Sequence, residues 1–102
     1  MTAMDASGIK KIIVACDAGM GSSVMLAGTL KRKLKNNGVT VDHAPVSAIP
    51  ADADLILTNV GLAERARAAA PGKPVVAFQI FLGDPAVEKV VKAIQNGGTI
   101  DV

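Results

Sequence analysis

Residues 11–23 read KIIVACDAGMGSS, an apolar run that breaks at Cys16 into glycines and serines. The run starts at Ile9 and continues to Ala15, interrupted only by Lys10 and Lys11. A short continuous apolar stretch is expected of a strand covered on both faces, the usual state of a strand in a parallel sheet. After the serines the period changes. Leu26, Leu30 and Leu34 recur every fourth residue with Ala27 beside them, while Lys31, Arg32, Lys33 and Lys35 take other faces. This spacing predicts an amphipathic helix with cations in its last turns, where the helix dipole favours them and solvent covers them. Asn36, Asn37 and Gly38 stop it, Gly38 being suited to the left-handed position after a helix. The opening unit is therefore strand, cysteine loop, helix.

The alternation continues along the chain. Residues 39–46 read as a second strand, 55–58 as a third and 75–80 as a fourth. Residues 61–70 are helical in composition and close at PGKP, residues 71–74, where two prolines and a glycine forbid continuation. Residues 85–96 predict a last helix, apolar at Val87, Val90, Val91 and Ile94 and ending at Gly97 and Gly98. The connector over residues 47–54 shows no helical stripe. Strands joined by crossovers make an α/β fold, here a flavodoxin-like, four-stranded parallel sheet of order 2-1-3-4 with helices on both faces. We assign residues 9–102 to a single domain and expect MTAMDASG, residues 1–8, to be a disordered leader.

Composition narrows the function. The one cysteine among 102 residues cannot form an internal disulfide, so packing alone must hold the fold, and a single thiol suits a reducing compartment. The apolar runs fall far short of the roughly 18 residues needed to cross a bilayer. A net charge of +2 and two phenylalanines offer no electrostatic or stacking platform for nucleic acid. The expectation is a cytoplasmic domain without metal or organic cofactor.

In open α/β sheets the ligand site lies beyond the carboxyl ends of the strands, and Cys16 begins the loop that leaves the first one. In Cys16-Asp17-Ala18-Gly19-Met20-Gly21-Ser22-Ser23, two glycines let the backbone turn tightly and aim successive N–H groups inwards. At a helix N-terminus those donors make an anion cradle, and the same field favours a thiolate, so Cys16 is expected to be a nucleophile. Ser22 and Ser23 add hydroxyl donors or cap the helix. A Walker loop needs a lysine that is absent, and a dinucleotide fingerprint needs glycine where Val24 stands. A cysteine phosphatase loop places arginine six residues after its cysteine; here that position is Ser22. Without the arginine that clamps the transition state, the loop suits holding a phosphoryl group more than releasing it to water.

IIVACDAGMGSS, residues 12–23, resembles the active-site loop of the IIB proteins of the bacterial sugar phosphotransferase system, in their mannitol-type branch. DLILTNVGLAERA, residues 54–66, resembles the third strand and following helix of that branch. The likeness covers about residues 9–96. It implies a phosphoryl group accepted on Cys16 from a phosphohistidine of a IIA partner and passed to a sugar, mannitol or a related hexitol, held by a membrane IIC permease. It also implies that Asp17 to Ser23 form the phosphate cradle. Two other readings stay open: a cysteine-dependent phosphatase or arsenate reductase-like enzyme, and a regulator that senses phosphorylation without onward transfer.

Other residues have simpler explanations. Asp84 and Pro85 read as the cap and first residue of the last helix, although a late Asp-Pro also supplies the general acid of some phosphatases. His43 stands alone and reads as solvated. The Lys31 to Lys35 cluster reads as a solvated face. Asp17 tunes the thiolate or shapes the turn, and if it did not point away from the sulfur it would oppose ionisation. Thr58 and Asn59 either border the loop or end a strand.

Overall fold

Lys11–Cys16 forms the central strand of a four-stranded parallel sheet in the computed structural model, which describes residues 3–17, 21–80 and 83–101. We number the strands β1 (Ala3–Asp5), β2 (Lys11–Cys16), β3 (Thr40–Pro45), β4 (Leu55–Asn59), β5 (Val75–Phe78) and β6 (Thr99–Asp101). The helices are α1 (Gly21–Lys33), α2 (Ala63–Ala69) and α3 (Pro85–Asn96). The parallel sheet runs β3-β2-β4-β5, the expected 2-1-3-4 order once the terminal strands are set aside.

Every residue of β2 except Lys11 is buried, because both faces of the strand are covered. Ile12 and Val14 point into one layer with Leu26, Leu30 and Leu34 of α1 and Val87, Val90 and Val91 of α3. Ile13 and Ala15 point into the other, with Ala66 of α2, Ala53 and Val46. The period-two alternation of a strand therefore divides one apolar run between two cores. β4 does the same, with Leu55 and Leu57 on the first side and Ile56 on the second.

The helix stripes fall where the spacing places them. Gly38 takes the left-handed conformation, φ +69°, one residue after a short 3-10 turn (Lys35–Asn37) that extends α1. The predicted helix over 61–70 is shorter in fact. A 3-10 turn (Val60–Leu62) precedes α2, and Asn59 Oδ1 accepts from Gly61 N at 3.0 Å to hold that turn. The connector without a stripe holds only a 3-10 turn (Val46–Ala48), and it ends at Asp54. Asp54 Oδ2 accepts from Lys10 N and Lys11 N at 2.8 and 3.0 Å, which fastens the crossover to the base of β2.

Two expectations differ from the structure. Residues 3–8, expected as a disordered leader, form β1 and a 3-10 turn (Ala6–Gly8). β1 pairs antiparallel with β6, a strand that the sequence reading did not assign, through Ala3↔Asp101, Met4↔Ile100 and Asp5↔Thr99. The reason is burial: Ala6 and Ile100 are enclosed, and Met4 packs against the α1–α3 side of the core. Cys16 also differs in place. It is the last residue of β2, paired with Pro45, and not the first residue of the loop.

Candidate functional site

β2, β4 and β5 all run in one direction, so Cys16, Asn59 and Phe78 end at the same side of the sheet. Cys16 is 6% exposed, and its thiol donates to the Ala44 carbonyl of β3 over 3.6 Å. Burial alone is what a space-filling cysteine would show. What sets Cys16 apart is its neighbourhood. It closes the central strand, and α1 opens five positions later at Gly21 with no acidic residue in its first turn. The N–H groups of that turn, which have no partner within the helix, and the positive end of the dipole lie at the same edge of the sheet.

The expected cradle is described in part. Ala18, Gly19 and Met20 lie outside the described residues, as does the side chain of Ser22, the second residue of α1. Ser23 is the third residue of α1 and is fully enclosed. Its hydroxyl has no hydrogen-bond partner among the described residues, so it caps nothing there. Buried hydroxyls are ordinarily hydrogen-bonded, so this one stands out at the first turn of the helix.

Asp17 is engaged by a cation from another element. Its Oδ1 accepts from Arg65 Nη1 of α2 at 3.1 Å, and both side chains are more than half exposed. The sequence reading did not single out Arg65. It lies 48 residues from its partner, and no local spacing signals such a contact.

Thr58 and Asn59 serve the scaffold. Thr58 is wholly buried in β4 and donates Oγ1 to the Ala15 carbonyl at 3.0 Å, one residue before the cysteine. Asn59 holds the turn before α2 and donates Nδ2 to the Gln79 carbonyl at 3.5 Å. Asp84 is the N-cap of α3, accepting from Ala86 N at 2.8 Å, with Pro85 as the first helical residue. Its other oxygen accepts from Gln79 N and Ile80 N at 2.8 and 3.1 Å. Burial pushes the Asp84 carboxyl upwards, but N–H groups of Gln79, Ile80, Ala86 and Val87 together outweigh it and hold the group below the usual carboxylate range. An acid held ionised and used as a brace is poorly suited to donating protons. His43 is exposed on β3. Lys33, within the basic cluster, pairs with Glu88 at 3.2 Å.

Large apolar side chains are exposed at the same end of the sheet as Cys16. Val24 and Met25 are in the first turns of α1, Val60 follows β4 and Ile80 follows β5, each at least half exposed. A cavity of about 720 Å³ lies instead between β5, α3 and β6. An enclosed pocket is the usual mark of a small-molecule site. A thiol that exchanges a group with another protein needs an accessible apolar rim more than a pocket.

Comparison with known proteins gives the family. A family model described as the lactose/cellobiose specific IIB subunit of the PTS system matches residues 11–93. The chain is 44% identical over 91 residues to the PTS system mannitol-specific EIICBA component of Buchnera aphidicola, covering 86% of this chain and 14% of that protein. It is 37% identical over 93 residues to the PTS system mannitol-specific EIICB component of Halalkalibacterium halodurans, covering 89% and 20%. Against the PTS system mannitol-specific EIICBA component of Escherichia coli it is 42% identical over 81 residues, covering 76% and 13%. The chain thus spans about a fifth or less of the length of these relatives.

Proposed function

This chain belongs to the lactose/cellobiose specific IIB subunit family of the phosphotransferase system, and on that premise we propose that it carries a phosphoryl group on Cys16 from a phosphohistidine to a sugar. The donor is a IIA protein or domain, and the acceptor is a sugar held by a membrane IIC permease. The observation that carries the reading is the family match over residues 11–93, which takes in Cys16 and the loop after it. The relatives are named as EIICB and EIICBA components, which supports IIC and IIA as partners, and as mannitol-specific, which supports mannitol or a related hexitol as the sugar. No helix among the described residues is long and apolar enough to cross a membrane. We place the domain in the cytoplasm, at the inner face of the membrane when it engages IIC.

In the first step the Cys16 thiolate attacks phosphorus in line. The S–P bond forms as the P–N bond breaks, and the imidazole keeps the electron pair. Backbone N–H groups of Asp17 to Ser23 and the Ser23 hydroxyl hold the phosphoryl oxygens. A thiolate has no hydrogen to donate, so the bond from the thiol to the Ala44 carbonyl is given up when Cys16 ionises, before the attack. In the second step a sugar hydroxyl attacks, the O–P bond forms, the hydroxyl proton is released and sulfur leaves as thiolate. The exposed Val24, Met25, Val60 and Ile80 form an apolar rim on which both partners dock in turn. Nothing in the fold or the family match favours the phosphatase or regulator readings.

Incubation with a phosphorylated IIA protein, followed by mass analysis of peptides, tests the proposal. A phosphoryl adduct on Cys16 that vanishes in Cys16→Ser is the expected result. A label on His43, or none on the wild-type chain, would sink it.

A further inference from the structure

We propose that Arg65 supplies the guanidinium that the cysteine loop lacks, by passing from Asp17 to the phosphoryl group once Cys16 carries it. The inference rests on the carrier reading above. The position that holds arginine in a phosphatase loop is Ser22 here, so the loop's own sequence brings no cation to the phosphoryl group. A guanidinium nevertheless arrives from another element. Arg65 of α2 places Nη1 3.1 Å from Asp17 Oδ1, and Asp17 is the residue directly after Cys16. The other ion pairs among the described residues, Lys11–Asp52 and Lys33–Glu88, lie elsewhere; Lys11 begins β2, at the end opposite Cys16.

The Arg65–Asp17 pair is built to be exchanged. The side chains are 60% and 53% exposed, so water competes for both charges and the contact holds them weakly. Loading Cys16 adds up to two negative charges one residue from the carboxylate. Carboxylate and phosphoryl group then repel each other and compete for one cation. The phosphoryl group offers more charge and three acceptor oxygens, which a planar guanidinium can engage two at a time. Asp17 is the resting place of Arg65 in the unloaded protein, and the phosphoryl group is its partner in the loaded one.

The protein loaded from phosphorylated IIA can be titrated by phosphorus NMR as wild type, Asp17→Asn, Arg65→Gln, Arg65→Lys and the double variant Asp17→Asn/Arg65→Gln. Both side chains are exposed, so these changes leave the core intact. A guanidinium on the phosphoryl group favours its dianion, so Arg65→Gln should raise the apparent pKa of the phosphoryl group by about one unit. Arg65→Lys should restore part of the difference. The rise should persist when Asp17→Asn and the double variant are compared, since there Arg65 can no longer act through Asp17. Matching titrations in that last comparison would overturn the inference while leaving Cys16 phosphorylation standing. Failure to load wild-type Cys16 would instead overturn the carrier reading beneath it, and the inference with it.

Discussion

A hydroxyl enclosed without a partner costs about 1–3 kcal/mol, and Ser23 Oγ is in that condition among the described residues. The cost has a purpose if the hydroxyl waits for a phosphoryl oxygen. Ser23→Ala should then leave stability to urea unchanged or raise it by about 1 kcal/mol. The same change should slow phosphoryl acceptance from IIA about tenfold, the effect of one charge-assisted hydrogen bond lost from the transition state. Lower stability with unaltered transfer, measured by denaturation and rapid quench, would show a structural hydroxyl instead. Among single residues, the loop proposed as the carrier stands out in the string, because a lone cysteine followed by alternating glycines is a local pattern. Arg65 does not. Its contact with Asp17 depends on how α2 packs beside β2, and an arginine in an alanine-rich helix looks like any solvated cation.

The joint between β5 and α3 depends on Asp84, which is 6% exposed and caps the helix with one oxygen while gathering Gln79 N and Ile80 N with the other. Asp84→Ala leaves several of those donors unpaired and should destabilise the fold by about 1–3 kcal/mol. The charge adds a pH dependence of definite sign. The folded carboxyl titrates below its unfolded value of about 3.9, so its contribution is complete above that pH and drains away as pH falls through the folded value. Thermal melts from pH 6 down to about 2 should show the wild-type protein losing its advantage over Asp84→Asn in that lower window. A constant difference across the range would refute the assignment. Here the sequence was informative, since Gly-Asp-Pro before an apolar stripe reads directly as cap and first turn. What it lacked was the second oxygen's role, which requires the end of β5 to lie against the start of α3.

β1 and β6 pair over one side of the core. Ile100 of β6 is 4% exposed and faces Met4 of β1 over the α1–α3 core. Ile100→Ala should therefore cost about 2–5 kcal/mol, the usual effect of emptying a buried site of this size. Removing residues 1–8 should likewise lower the melting temperature, because β6 loses its only partner strand among the described residues. An unchanged melt after truncation would restore the disordered leader. Against this, the four parallel strands and their helices were open to reading because each announces itself within a few residues. An apolar run of five, Ile12 to Cys16, is a doubly covered strand, leucines four apart are a buried helix face, and glycine or proline follows each helix within a few residues. The 2-1-3-4 order came with the flavodoxin-like fold expected of strands joined by crossovers, and the sheet has it. The β1–β6 ribbon, the Arg65–Asp17 pair and the enclosure of Ser23 follow no such pattern. Each joins residues distant along the chain or depends on what is packed overhead, and only the folded arrangement brings those groups within the few ångströms over which hydrogen bonds and burial act.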